Sequence, residues 1–224
     1  PATWKSKDAS LAIGLKKPVL IAERISIEAA PGAVNLSFKP VEDAKVLLPI
    51  QGYSTTYTGA VWEQKNQKIK LQKLELQTLD STSKAGPILA KSGVLDQVSE
   101  VISLDGVKEI EIGPATVFPA KGLLAIAKGG QFKPLAGARA TVNGHVLANI
   151  NTITANAQKF TGTANYLLPV EGSDSLVIPM KNFDFLPEGI RAEARYIEKT
   201  PLKLTAHQEF KGDVYFLSEK PSLR

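Results

Sequence analysis

Residues 68–79 read KIKLQKLELQTL, and this stretch indicates the fold most clearly. Apolar side chains at every second position are typical of a β-strand with one buried face. The alternation changes phase once within the stretch, between two pairs of apolar residues: Ile69 and Leu71, then Leu74 and Leu76. One extra residue near Gln72 and Lys73 would return both pairs to the core, so the sequence predicts a β-bulge there.

Similar alternation on both sides of this stretch predicts strands over most of the chain. The Asn143-Gly144 pair lies between two alternating runs and is the strongest hairpin signal, because a type I′ turn needs two residues that tolerate positive φ. Residues 123–127 are apolar throughout, which predicts a strand buried on both faces. About fourteen short strands predict an all-β fold, packed as tandem sandwich-like or barrel-like units.

One central helix is predicted over residues 87–103. Pro87 suits the first turn of a helix, and Asp105-Gly106 would end it. An apolar stripe at helical spacing supports the helix, and its main members are Ile88, Leu95, Val98 and Ile102. We expect this helix to cover the end of a sheet or to bridge two sheets.

The two halves of the chain share short motifs in the same order, which favours an internal duplication. Coincidence among turn residues is the alternative, since Pro and Gly recur wherever strands end. The repeated segments are FKPVEDAKV at 38–46 and FKPLAGARA at 132–140, LLPIQG at 47–52 and LLPVEG at 167–172, and Ile-Gly at 13–14 and 112–113. We therefore divide the chain into a β-rich unit at 1–104, ending in the helix, and a second at 107–224, which could pack as one domain.

Composition limits the class of protein. The chain has 224 residues, of which 43% are hydrophobic and 22% charged, enough for a core and too few charges for a disordered chain. No apolar run approaches the ~20 residues that cross a bilayer. The net charge of +5 is too small to indicate a dedicated nucleic-acid-binding protein. The absence of cysteine excludes disulfides, thiolate metal sites and a cysteine nucleophile.

No catalytic or cofactor motif is present: the chain has neither a Gly-rich phosphate loop nor a nucleophile elbow. His145 and His207 lack further ligands at metal spacing and are interpreted as surface residues. Glu109 and Glu111 share a predicted strand face, where they could bind a hard cation, although a solvated face is the simpler interpretation. We predict no catalytic, cofactor-binding or metal-binding residue, and no enzyme.

Two basic groups are candidate contact sites. Lys68 and Lys70 share a strand face near Trp62, where they could contact the phosphates of a nucleic acid or protect a sheet edge from unwanted pairing. We favour edge protection. The second group is predicted to form an assembly arm that reaches a neighbouring subunit or an internal polyanion, and it consists of Lys5, Lys7, Lys16 and Lys17.

These features favour a structural subunit of a larger assembly, most plausibly a virion or phage capsid or tail component, that contacts copies of itself or other structural subunits. Pro1, with no leader before it, favours this localisation if it is the natural terminus. The alternative is an exported, periplasmic or extracellular protein that binds a lipid or other apolar ligand between a curved sheet and the 87–103 helix.

Overall fold

The structure is a computed structural model. It describes residues 4–30, 32, 34–133, 137–151, 153–154, 163–169, 174–197, 209–217 and 222–223. These residues form the following strands: β1 Trp4–Ile13, β2 Leu20–Ala29, β3 Asn35–Pro40, β4 Val46–Leu48, β5 Tyr53–Thr56, β6 Gly59–Glu63, β7 Lys68–Thr78, β8 Ile88–Asp96, β9 Val101–Asp105, β10 Ile110–Ile112, β11 Ala115–Phe118, β12 Leu124–Ile126, β13 Gln131–Lys133, β14 Ala138–Val142, β15 His145–Ile150, β16 Ile153–Thr154, β17 Thr163–Leu168, β18 Leu176–Leu186, β19 Gly189–Ile197, β20 Glu209–Leu217 and β21 Ser222–Leu223.

The all-β class is confirmed. The only helical segments among the described residues are two 3-10 turns, Ala120–Gly122 and Lys128–Gly130. No helix in the described part of the chain has the length and apolar character needed to span a membrane. All strand pairs are antiparallel, and they build a sheet of twelve strands and a sheet of nine.

Several short strands are two parts of one long strand. Along its full length, β2 pairs with β1 on one edge. Its other edge pairs first with β4 at Ala22↔Val46 and then with β3 at Ile25↔Pro40. Therefore β3 and β4 form one strand that is interrupted at residues 41–45. The same pattern joins β5 to β6, β9 to β10, β11 to β12, β13 to β14 and β15 to β16.

The chain is therefore a meander, in which each long strand pairs with the one before and the one after it. Interruptions lie near the middle of the long strands and opposite one another. The Val41 amide donates to the Arg24 carbonyl at 2.7 Å, and the Val107 amide donates to the Gly122 carbonyl at 3.0 Å. We call this line of interruptions the crease.

Left-handed backbone marks the crease. Non-glycine residues there have φ values between 49° and 60°, namely Asp8, Arg24, Glu42, Lys73, Lys121, Asn149 and Asn182. Such a residue turns the following side chains to the other face of the strand. Glycine is required at Gly106, which has φ 74°, because a Cβ there would lie 2.5 Å from Cγ of Lys91.

The whole meander folds along the crease into two layers. The first layer contains β3, β6, β9, β12, β13 and β16, and the second contains β4, β5, β10, β11, β14, β15 and β17. Longer strands such as β2, β7, β8 and β18 cross the crease and contribute to both layers. In a flat sheet the β4–β5 turn and the β8–β9 turn would lie at opposite ends of the strands. Instead Gln51 Nε2 donates to the Glu100 carbonyl at 2.6 Å, and the Gly129 amide donates to the Ile50 carbonyl at 3.0 Å. We call this meeting of turns the rim.

Side chains fill the space between the layers. Strands on both sides of the crease contribute, and the core residues are at most 8% exposed. Ile69, Leu71, Leu74 and Leu76 are all buried, so both pairs face the core as predicted. The predicted β-bulge is wrong, because the ladders of β7 with β6 and with β8 show no register shift. Lys73, with φ 49°, lies between the two pairs. The partner strand β8 changes phase at the same position, so the ladder continues across the crease.

The predicted helix at 87–103 is wrong. Residues 88–96 and 101–105 form β8 and β9, and Val98 in the turn between them is 68% exposed. The Asp96 carboxylate accepts hydrogen bonds from the amides of Val98 and Ser99, each at 2.9 Å, and fixes this turn. The phase change at the crease spaces the apolar residues of β8 unevenly, and this spacing imitates a helical stripe.

The run at 123–127 is not buried on both faces, because Leu123 is 53% exposed while Leu124 and Ile126 are buried. The Asn143-Gly144 turn is confirmed, with φ values of 45° and 82° between β14 and β15.

The repeated FKP segments mark equivalent places in the meander. The first runs into the interruption at 41–45 between β3 and β4, and the second begins with β13 and continues, past residues outside the described part of the chain, into β14. The predicted boundary at 105–106 falls between β9 and β10, which are parts of one interrupted strand. The division into two units stays a prediction.

Candidate functional site

The predicted assembly arm is the first strand of the sheet. Lys5 and Lys7 lie on β1, and Lys16 and Lys17 lie in the turn that leads to β2, where both are exposed. Ala9 and Leu11 pack against the core, and Ile13 is buried within it. Deleting residues 1–10 would therefore remove most of a strand and uncover an edge of β2.

The outer edge of β1 is the longest free strand edge that the described residues show. Among them, β1 pairs only with β2. Its register shifts between Ser6 and Ala9 and again between Ala9 and Leu11, on either side of the crease. Asp8 has φ 60° and is exposed. This edge therefore bends with the sheet and spans both layers.

Acidic and basic side chains meet beside this edge at the crease. Arg24 forms an ion pair with Glu42, which joins the interruptions of two neighbouring strands. The hydrogen bond that Arg24 donates to the Glu42 carboxylate raises the pKa of Arg24, and the negative charges of Glu42 and Asp8 raise it further. Sequence reasoning missed this cluster because its members are far apart in the chain and become neighbours only through the register of β1, β2 and β3.

The basic strand face is separate from its tryptophan. Lys68 and Lys70 are exposed on the outer face of β7, as predicted, but Trp62 pairs with Ile69 and packs against the core. Lys70 Nζ lies 2.6 Å from Glu63 Oε1. This hydrogen bond, with a weaker one from Asn66, lowers the pKa of Glu63. The structure therefore does not bring these lysines and the indole together as a phosphate-binding surface.

A groove with a volume of ≈ 680 Å³ lies on the outer side of the sheet at the crease. Glu109 and Glu111, the candidate cation ligands, line it and are exposed. Charges of both signs line the groove together, since Lys73, Lys91 and Lys108 lie there as well. The described residues hold no group of three metal-ligating side chains. A smaller outer groove of ≈ 300 Å³ contains Lys39 and Lys70.

The interior contains polar atoms that the sequence did not indicate. Gln51 Oε1, the hydroxyls of Tyr53 and Tyr57, and Trp62 Nε1 are buried and have no hydrogen-bond partner among the described residues. Burial raises the pKa of Tyr53 to about 12 and raises that of Tyr57 as well. These atoms belong to a 12-residue span, 51–62, that forms the second interrupted strand and the turn before it.

His145 differs from the surface residue predicted. It begins β15, is half-buried, and its Nδ1 lies 2.7 Å from the Tyr166 hydroxyl. Burial raises the pKa of Tyr166 to about 12. This contact ties β15 to β17 and has no second metal ligand beside it among the described side chains. His207 lies outside the described residues.

No family model, no curated protein and no solved structure matches the chain.

Proposed function

We propose that this protein is a non-enzymatic structural subunit of a larger assembly. One observation carries the proposal: the space between the two layers is filled by side chains that are at most 8% exposed. With the interior occupied, the exterior and the strand edges are the parts of the molecule that can act on a partner. A bent strand edge is suited to contacts between subunits, because its backbone groups can extend the sheet into another chain.

Within this class we propose a virion or phage capsid or tail component, and hence a virion localisation. A sequence without cysteine and a chain built from one continuous meander support that choice. Subunits of such shells and rings make repeated contacts with copies of themselves or with other structural subunits. Lys68 and Lys70 do not protect a sheet edge, because β7 pairs with β5 and β6 on one side and with β8 on the other. The ion pair between Lys70 and Glu63 counts against nucleic-acid contact at that strand face.

A second candidate is an exported, periplasmic or extracellular protein that binds a lipid or other apolar ligand between the layers. The unpartnered hydroxyls of Tyr53 and Tyr57 favour it, since buried polar atoms usually have partners. A ligand would enter only if the rim opened, because these atoms are enclosed by packed side chains. Mass spectrometry of an organic extract of the purified protein tests this candidate, and a stoichiometric lipid would support it.

The native mass at working concentration tests the main proposal. We expect a species that is a multiple of 24.1 kDa, measured by light scattering after size exclusion, and ordered particles in electron micrographs. A monomer at every concentration and salt tested would contradict a structural role by self-assembly. Repeating the measurement with the other proteins encoded nearby would then test assembly with different subunits.

A further inference from the structure

Two neighbouring side chains just inside the rim are buried with open hydrogen-bonding positions. Gln51 lies in the β4–β5 turn and Tyr53 begins β5, and both are 0% exposed. Gln51 Nε2 donates to the Glu100 carbonyl, whereas Gln51 Oε1 and the Tyr53 hydroxyl have no partner among the described residues. The amide oxygen can accept a hydrogen bond, and the hydroxyl can donate one and accept another.

These open positions lie where a molecule entering the interior would arrive first. The other unpartnered atoms of the 51–62 span belong to Tyr57 and Trp62, farther along the strand from the rim. Thr55, between Tyr53 and Tyr57, is satisfied, because its hydroxyl donates to the Thr56 carbonyl at 2.8 Å. Buried polar groups nearly always have partners, and the exceptions are expected at functional sites.

The surroundings of Gln51 and Tyr53 determine what can bind there. The described core contains no buried charged side chain. Val46, Leu48 and Leu76, on the strands beside β5, are all 0% exposed. A charged group would lose its hydration here without gaining a counter-ion, which is costly. A hydroxyl-bearing group can fill the open positions while an apolar chain lies against the aliphatic side chains.

We propose that Gln51 and Tyr53 bind the uncharged, hydroxyl-bearing head group of an amphiphile, such as a monoacylglycerol, whose acyl chain enters the space between the layers. One head-group hydroxyl donates to Gln51 Oε1, and another oxygen of the head group accepts from the Tyr53 hydroxyl. This inference rests on the second candidate function, the binding of an apolar ligand, and adds the head-group site and the charge of the ligand.

The ligand reaches this site through the rim. Two hydrogen bonds cross the rim beside the open positions: the one from Gln51 Nε2 to the Glu100 carbonyl at 2.6 Å, and the one from the Gly129 amide to the Ile50 carbonyl at 3.0 Å. Breaking both would separate the β4–β5 turn from the turns of the first layer and uncover Gln51 and Tyr53 together.

Calorimetric titration with monodecanoylglycerol, kept below its critical micelle concentration, tests the head-group site. We expect saturable binding by the natural chain. Decanoate should bind more weakly by about tenfold or more, because its carboxylate is ionised at about pH 8. Equal affinities for the two ligands, or no saturable binding of the monoglyceride, would overturn the proposal.

A pair of tyrosine variants assigns the binding to the site. Tyr53→Phe should weaken binding of the monoglyceride about tenfold even though it stabilises the free protein, since the hydroxyl gains its partner only in the complex. Tyr166→Phe is the matched control and should leave the affinity unchanged, because that hydroxyl already lies 2.7 Å from Nδ1 of His145. Equal effects of the two variants on affinity would exclude Tyr53 from the site.

A reversible crosslink distinguishes binding between the layers from binding on the outer surface. Pro49→Cys and Val98→Cys, exposed on the two turns of the rim, are joined by a short bifunctional methanethiosulfonate. We expect the crosslinked protein to bind little monoglyceride and to recover after reduction, whereas undiminished binding would contradict entry through the rim. A multimer that binds no monoglyceride would overturn this inference and leave the structural function standing. A monomer that binds it would do the reverse.

Discussion

Gln51 and Glu100 join two turns that would lie at opposite ends of the strands in a flat sheet and that are in contact in the folded one. The Gln51 side chain is fully buried, and its Nε2 donates to the Glu100 carbonyl at 2.6 Å. The Gly129 amide donates to the Ile50 carbonyl in the same place. These bonds close the rim opposite the crease.

Replacing Gln51 should loosen the rim. Gln51→Ala removes the bond to Glu100 and leaves a small cavity, so we expect a loss of about 2 kcal/mol in the free energy of unfolding. Amide exchange at Gly129 should accelerate as well. Gln77→Ala, which removes an exposed hydrogen bond to Lys45, is the control and should cost less than about 0.5 kcal/mol. Unchanged exchange at Gly129 in the Gln51 variant would count against a closed rim.

The strand pair that replaces the predicted helix has a direct test. Leu95 is fully buried in β8, whereas Val98 is 68% exposed in the following turn. Leu95→Asp should unfold the protein, at a cost of more than about 4 kcal/mol, because it places a carboxylate in the core. Val98→Asp should change stability by less than about 0.5 kcal/mol. A helix would place both residues on one buried stripe. Equal losses of thermal stability in the two variants would therefore favour the helix.

The crease predicts an unusual response to glycine. Lys73 has φ 49°, a conformation that costs a non-glycine residue about 1 kcal/mol, so Lys73→Gly should be neutral or stabilising. Lys68→Gly, at a regular exposed position of the same strand, should destabilise by about 1 kcal/mol. Chemical denaturation measures both. If the two substitutions lower the free energy of unfolding by the same amount, Lys73 does not adopt a left-handed backbone conformation in β7.

Two buried tyrosines should respond to phenylalanine with opposite signs. The Tyr53 hydroxyl has no partner among the described residues, so Tyr53→Phe should stabilise the protein by about 1 kcal/mol. The Tyr166 hydroxyl lies 2.7 Å from Nδ1 of His145, so Tyr166→Phe should destabilise it by a similar amount, about 1 kcal/mol. Urea unfolding at neutral pH measures both changes, and a loss of stability in Tyr53→Phe would reveal a partner for that hydroxyl.

Alkaline pH should unfold the protein through Tyr53. Burial raises its pKa from 10 to about 12, which means that the folded state favours the neutral phenol. Its contribution is complete below pH 10 and is lost as the pH rises from 10 towards 12. In Tyr53→Phe, the fall in the free energy of unfolding between pH 10 and 12 should be shallower, because only the other buried tyrosines contribute to it; circular dichroism measures the fall. The same slope in both proteins would exclude a contribution from Tyr53.

The local signals in the sequence predicted the strands well and the folding of the sheet poorly. Alternation in 68–79 and the Asn143-Gly144 turn depend on neighbours along the chain, and the structure confirms both. The helix at 87–103 failed because a phase change in mid-strand spaces apolar residues as a helix does. Positive φ at Arg24 and Glu42 has no sequence signal, since it is imposed by the interruptions of neighbouring strands and stabilised by an ion pair between residues 18 positions apart.

The folding of the sheet along the crease is the central claim, and a distance between spin labels tests it most directly. Pro49 and Val98 are exposed at the two turns of the rim, and the chain has no other cysteine to label. In a flat sheet these turns lie at opposite ends of strands such as β7, whose length is about 35 Å. The double variant Pro49→Cys and Val98→Cys is spin-labelled and diluted into unlabelled protein. We expect one narrow distribution of distances between the two labels, centred well below that length. A distribution centred at or above it would contradict the folded sheet.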